Sequence, residues 1–229
     1  MARHLTIILL LFTLPTFGQI KQCFCDKDTL MNGATVSCDT TTFKNNSKLY
    51  WQYNCDRIWL TLENSSGQKF VIDEVEVELY NLTYRLGYHL IKEFKESLLF
   101  RSGCPANGPC TYTLIDKANG KKLKEFDQLI CIDTDIKWEH AHKYNFDFIV
   151  YLSNKSDNII IYYVDSKRTL KVPFKENLTG IIPQHQFDEM TLENNILKLS
   201  YELDKDTKKT LKIELKNKKI QPLTAATPK

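Results

Sequence analysis

His140-Ala141-His142 is the one place in this chain where residue types and spacing suggest metal chemistry. On a strand, alternate side chains share a face. Both imidazoles could then approach one ion, with Asp133, Asp135 or Glu139 as a third ligand. Two histidines make a weak donor set, and the segment reads as a connection beside Trp138, so neither a resident metal nor a cofactor is expected. Glu74, Glu76 and Glu78 alternate with Val75, Val77 and Leu79, which is the pattern of a solvated strand face. Asp26-Lys27-Asp28 lacks the Gly and the closing Glu that a calcium loop needs at fixed offsets. Single histidines at His89 and His185 read as surface or packing residues. The chain carries no nucleophile elbow, no His-Glu-x-x-His, no phosphate-cradling loop and no dinucleotide fingerprint. Chemistry of these kinds is therefore not expected, and an enzyme is the less favoured reading.

Cysteine is more informative. The chain has 7 cysteines, at 23, 25, 38, 55, 104, 110 and 131, and none after that. Cys104-Pro105-Ala106-Asn107-Gly108-Pro109-Cys110 is the clearest pair, because a loop of Pro, Asn and Gly brings its ends within bridging distance. Cys38 with Cys55 is a weaker second pairing. Cys23 and Cys25 are separated only by Phe24, so each is expected to reach elsewhere, and the odd seventh thiol stays unassigned. Redox duty would call for Cys-x-x-Cys at a helix start, which is absent. Pro105, Asn107 and Pro109 form a rigid loop suited to meeting a partner.

Disulfides imply an oxidising compartment, and the N-terminus agrees. Arg3 and His4 precede an apolar run from Leu5 to Leu14, and Pro15 to Gly18 lead to a cleavage point before Gln19 or Ile20. This is a signal-peptide pattern over residues 1–18. No later run has the length of a spanning helix, so the mature chain is expected to be secreted or periplasmic with no transmembrane segment. A net charge of +3 is too mild to suggest nucleic acid. Asn45, Asn64, Asn81, Asn154 and Asn177 each begin an Asn-x-Ser/Thr sequon, which would mark exposed surface in a glycosylating pathway.

The elements that hold these residues read as mainly β. Leu49–Tyr53, Ile58–Leu62 and Lys69–Ile72 are rich in aromatic and β-branched residues, with a turn at Asn64–Gly67. Leu86, Leu90, Ile91, Phe94 and Leu98 fall at helical spacing, which predicts one helix over about 87–99. Asn119-Gly120 predicts a hairpin with a type I′ turn. Further strands are expected at Phe146–Leu152, Ile159–Val164, Leu170–Phe174, Met190–Leu192, Ile196–Tyr201 and Leu211–Leu215. Leu114-Ile115-Asp116, Tyr163-Val164-Asp165 and Glu202-Leu203-Asp204 each end a strand at Asp and run through Lys into a return, an echo that fits recurring hairpins.

The expected architecture is antiparallel hairpins forming a sandwich or barrel. A disulfide-containing part over 19–136 precedes a cysteine-free part over 137–217 and a disordered tail over 218–229, and the two β parts could share one domain. The function this suits is binding or structural interaction with a protein or glycan partner, without catalysis. The Cys104–Cys110 loop and the aromatic strands from Tyr50 to Trp59 are the expected contact points, although Tyr50, Trp51 and Trp59 each read individually as core. The rivals are an exported hydrolase with a carboxylate-based site and a small-ligand carrier with a barrel cavity.

Overall fold

The computed structural model describes residues 24–25, 36–82, 87–106, 108–131, 146–204 and 207–215. Four antiparallel sheets follow one another along the chain. The first holds β1 (Thr41–Thr42), β2 (Lys48–Tyr53), β3 (Arg57–Glu63) and β4 (Lys69–Glu76). The second holds β5 (His89–Glu93), β6 (Ser97–Gly103), β7 (Thr111–Asp116) and β8 (Lys122–Phe126). The third has β9 (Phe148–Leu152), β10 (Asn158–Tyr163) and β11 (Arg168–Pro173). The fourth has β12 (Phe187–Glu193), β13 (Ile196–Asp204) and β14 (Thr207–Glu214). Among the described residues, every strand pairing joins neighbours in sequence, and no ladder closes a barrel. Short 3-10 turns at Val77–Leu82 and Pro183–Gln186 are the described helical segments.

The sheets stack face to face in chain order. Leu49, Leu60 and Leu62 of the first meet Leu98, Phe100 and Ile115 of the second. On the other face of the second sheet, Leu99, Tyr112, Leu114 and Phe126 meet Ile149 and Tyr162 of the third. The opposite face of the third, with Val150, Leu152, Ile159 and Ile161, packs on Leu197, Leu199, Tyr201 and Ile213 of the fourth. Both inner sheets are therefore covered on both sides. This is why Leu98-Leu99-Phe100 and Ile159-Ile160-Ile161 are apolar at every position instead of at alternate ones.

That double burial corrects the helix expected over 87–99. These residues form β5 and β6, joined by a tight turn in which Phe94 N donates to Ser97 O at 2.8 Å. Lys95 and Glu96, inside the span expected to be helical, are the exposed tip of that turn. The helical spacing arises because a turn interrupts an apolar run that has no polar face of its own.

The Asp echo is topological. Asp116 closes β7 before β8, Asp165 lies between β10 and β11, and Asp204 ends β13 before β14, so each marks the passage from the central to the last strand of a meander. Asn64 stands at the same point between β3 and β4. The Asn119-Gly120 hairpin forms, but as a longer loop: Asp116 N donates to Lys121 O at 2.9 Å, and within Lys117–Gly120 only Gly120 is left-handed, at φ 67°. Paired left-handed residues of the I′ kind occur instead at Asn194 (φ 49°) and Asn195 (φ 61°), between β12 and β13.

Candidate functional site

Alternation along β2 and β3 divides the first sheet into two faces. Leu49, Trp51 and Tyr53 stand opposite Leu62, Leu60 and Ile58 and point into the stack. Tyr50, Gln52, Trp59, Thr61 and Glu63 point the other way. Trp51 and Tyr53 belong to apolar clusters, Trp51 with an edge-on contact to Tyr80, whereas Tyr50 and Trp59 are half-buried and belong to no cluster among the described residues.

Side-chain hydrogen bonds organise this outer face. Gln52 Oε1 accepts from Trp59 Nε1 at 3.2 Å and from Thr61 Oγ1 at 2.9 Å. Tyr50 Oη donates to Glu63 Oε2 at 3.0 Å, and Lys48 Nζ lies 3.4 Å from Glu63 Oε1. The bond from Tyr50 is the main reason the Glu63 carboxyl sits below its ordinary range. Burial, followed by the same bond, pushes the Tyr50 phenol up. Arg57 pairs with Glu74, and Val71 of β4 is 56% exposed on the same face. The outer face of the fourth sheet, at the far end of the stack, differs in kind. Among the described residues it carries Thr191, Glu193, Lys198, Ser200, Thr210 and Lys212, with a Lys198–Glu193 pair and no aromatic ring. A mixed-charge surface of this type caps a stack against association.

A cleft of about 470 Å³ opens where the β1–β2 turn meets the β5–β6 turn, lined by Lys44, Asn45, Lys92, Glu93, Lys95, Glu96 and Asp147, with Phe94 at its base. Its central carboxylate is engaged: Glu93 Oε1 accepts from Lys117 Nζ at 2.7 Å and from Lys44 N at 3.0 Å. Lys92 donates to Phe146 O with its ammonium 4.9 Å from the Phe94 ring centre, and burial pulls its pKa down.

Cys104 and Cys110 are joined by a disulfide. Pro105 is exposed and Pro109 half-buried, while Asn107 lies outside the described residues. His140 and His142 also lie outside them, as do residues 1–18 and 218–229. Among the described residues, no group of three or more His, Cys, Asp or Glu could hold a metal ion.

The Cys38–Cys55 pairing is corrected: Cys38 is bonded to Cys25. Val36, fully buried among Tyr53 and Ile58, holds this part of the chain over the end of the first sheet, and Cys25 packs in the same cluster against Trp51 and Val75. The apolar cover needed at that end, not the loop length, selects the pair. Cys55 is disulfide-bonded too, and Cys131 is a free thiol.

Sequence reasoning named Tyr50 and Trp59 without separating them from Trp51, and missed Gln52, Thr61 and Glu63. The usable signal was parity: two residues apart on β2, and two apart on the register-matched β3, share a face.

No family model matches the chain, and neither does any curated protein. Among solved structures it is similar to the uncharacterized protein lmo1340 from Listeria monocytogenes EGD-e, at 11% identity and a TM-score of 0.29, over 78% of this chain and 56% of that one. The chain thus spans little more than half the length of that protein.

Proposed function

We propose that this is an exported, non-catalytic binding protein that holds its partner on the outer face of the first sheet. The observation that carries the reading is the contrast between the two ends of the stack. One ends in Lys, Glu and Thr, and the other in Tyr50 and Trp59 braced by Gln52, Thr61 and Glu63. Half-buried aromatics with their polar atoms already oriented are what recognition surfaces use, because little side-chain freedom remains to be lost on binding. Export is supported by the signal-peptide pattern of residues 1–18 and by the Cys25–Cys38 and Cys104–Cys110 bonds. No helix among the described residues is long and apolar enough to cross a membrane. In the cleft described above, Glu93 is already committed to Lys117, which does not favour a carboxylate hydrolase there. A carrier would need an open interior, whereas the layers between sheets are filled with side chains.

The test is a photo-reactive residue at Val71, on this face, and another at Thr210, on the far face, with irradiation in the native cell. Adducts from position 71 and none from 210 are expected. Equal labelling, or none at 71, overturns the reading. Fractionation with N-terminal sequencing checks export, the mature chain being expected to start at Gln19 or Ile20.

A further inference from the structure

We infer that the ligand of this face is an uncharged saccharide, an inference that rests on the binding reading above. Tyr50 faces Thr61 across β2 and β3, and Gln52 faces Trp59, so the two aromatic rings are diagonal neighbours on adjacent strands. Diagonal positions lie at roughly 7–8 Å, close enough for large rings to form one continuous platform. The face of a pyranose carries polarised C–H groups, and the negative face of an aromatic ring is complementary to them. Its hydroxyl rim requires donors and acceptors fixed beside that platform.

Gln52 supplies them. The Trp59 indole N–H can only donate, so the Gln52 atom that receives it is the carbonyl oxygen, which also takes Thr61 Oγ1. The amide orientation is thereby set, and Nε2 is left as a double donor beside the rings, with no partner among the described residues.

The charges point to a neutral ligand. Lys48 lies 3.4 Å from Glu63, Arg57 is paired with Glu74, and Lys69, opposite Glu63 on β4, sits 6.0 Å from the Tyr50 ring centre, so each cation of this face among the described residues already has a partner on it. A polyanion or polycation would have to compete with these pairs, and an uncharged polyhydroxyl ligand would leave them intact. A peptide strand is the less suitable occupant. It would add at a sheet edge, beside β4 or beside the part of β2 beyond Leu49, which β1 does not cover, and not over the rings.

The experiment follows tryptophan fluorescence and affinity electrophoresis of the full mature chain against amylose, soluble cellulose, xylan, mannan and chitin oligosaccharides, with polygalacturonate as the anionic control. Binding to at least one neutral saccharide is expected. Trp59→Ala and Gln52→Ala should each weaken it by about tenfold or more, while Lys212→Ala on the far face should leave it unchanged. Thermal unfolding of each variant separates lost binding from lost folding. Failure to bind any neutral saccharide, binding of polygalacturonate alone, or binding indifferent to both Trp59→Ala and Gln52→Ala overturns the inference. If the Val71 photo-adduct is a polypeptide and no saccharide binds, the saccharide class is wrong and the docking face stands. If position 71 also gives no adduct, both fall.

Discussion

Lys117 Nζ lies 2.7 Å from Glu93 Oε1, with the lysine side chain 1% exposed. The same ammonium donates to Lys95 O at 3.1 Å and sits 5.4 Å from the Phe43 ring centre. The same carboxylate oxygen accepts from Lys44 N at 3.0 Å. One ion pair thus ties the β5–β6 and β7–β8 turns of the second sheet to the β1–β2 turn of the first. Lys117→Met should lower stability by about 2 kcal/mol, less than a fully buried pair would cost because Glu93 keeps some access to water. Denaturant unfolding measures it, and an unchanged midpoint would sink the idea.

Acid should act through the same node. Burial alone would raise the Glu93 pKa, but the bonds from Lys117 and Lys44 outweigh it and hold the carboxyl below its ordinary range. A carboxylate depressed in the folded state contributes stability that is fully present above the unfolded value, about 4.3, and is lost as pH falls through the folded one. Melting curves at pH 7 and pH 3 should therefore differ less for Glu93→Gln than for the parent chain.

Asn64 bonds in two directions. Its Oδ1 accepts from Ser66 N at 3.1 Å and Gln68 N at 2.9 Å, and its Nδ2 donates to Ala118 O at 2.7 Å, in the equivalent turn of the next sheet. Asn64→Asp keeps the acceptor and sets a carboxylate against that carbonyl. A loss of about 1–3 kcal/mol is expected in chemical denaturation. If the chain is expressed through a glycosylating secretory pathway, peptide mapping should find Asn64 bare and the exposed Asn154 and Asn177 modified, since the Asn64 amide is already buried and bonded.

Two glycines offer a matched pair. Gly67 (φ 82°) and Gly120 (φ 67°) occupy the corresponding turns of the first two sheets. A Cβ on Gly67 meets nothing within 4 Å, whereas one on Gly120 falls 2.6 Å from Phe70 Cβ. Gly67→Ala should cost about 1 kcal/mol from backbone strain alone. Gly120→Ala should cost clearly more, because β4 has to move. Equal losses in parallel melts would refute the close approach between these sheets.

Burial, with Asp188 and Glu189 nearby, pushes the Cys131 thiol up to about 12. At pH 8 the thiolate needed for alkylation is then scarce. Iodoacetamide should label the Cys131 peptide slowly in the native chain and quickly after denaturation, and rapid native labelling would contradict this environment.

Much of the β architecture was legible locally. β9 with β10 and β13 with β14 are apolar or alternating runs joined by turn residues, and hydrogen bonding between neighbours in sequence needs no distant information. The Cys104–Cys110 bond, six residues apart, is local in the same sense. What lay beyond the sequence is whatever depends on which layer a strand joins. β6 lies in a sheet between two others and has no polar side to set a period, so its apolar run continues that of β5 at a spacing that imitates a helix. Trp51 and Trp59 are equally aromatic on paired strands, yet one is core and the other faces outward, since the next sheet docks on one face only. Cys38 finds Cys25 because both are drawn over the same apolar end of the first sheet. Residue types and local spacing determined the hairpins, and the stacking of those hairpins, a matter of which apolar faces find each other, decided the candidate site.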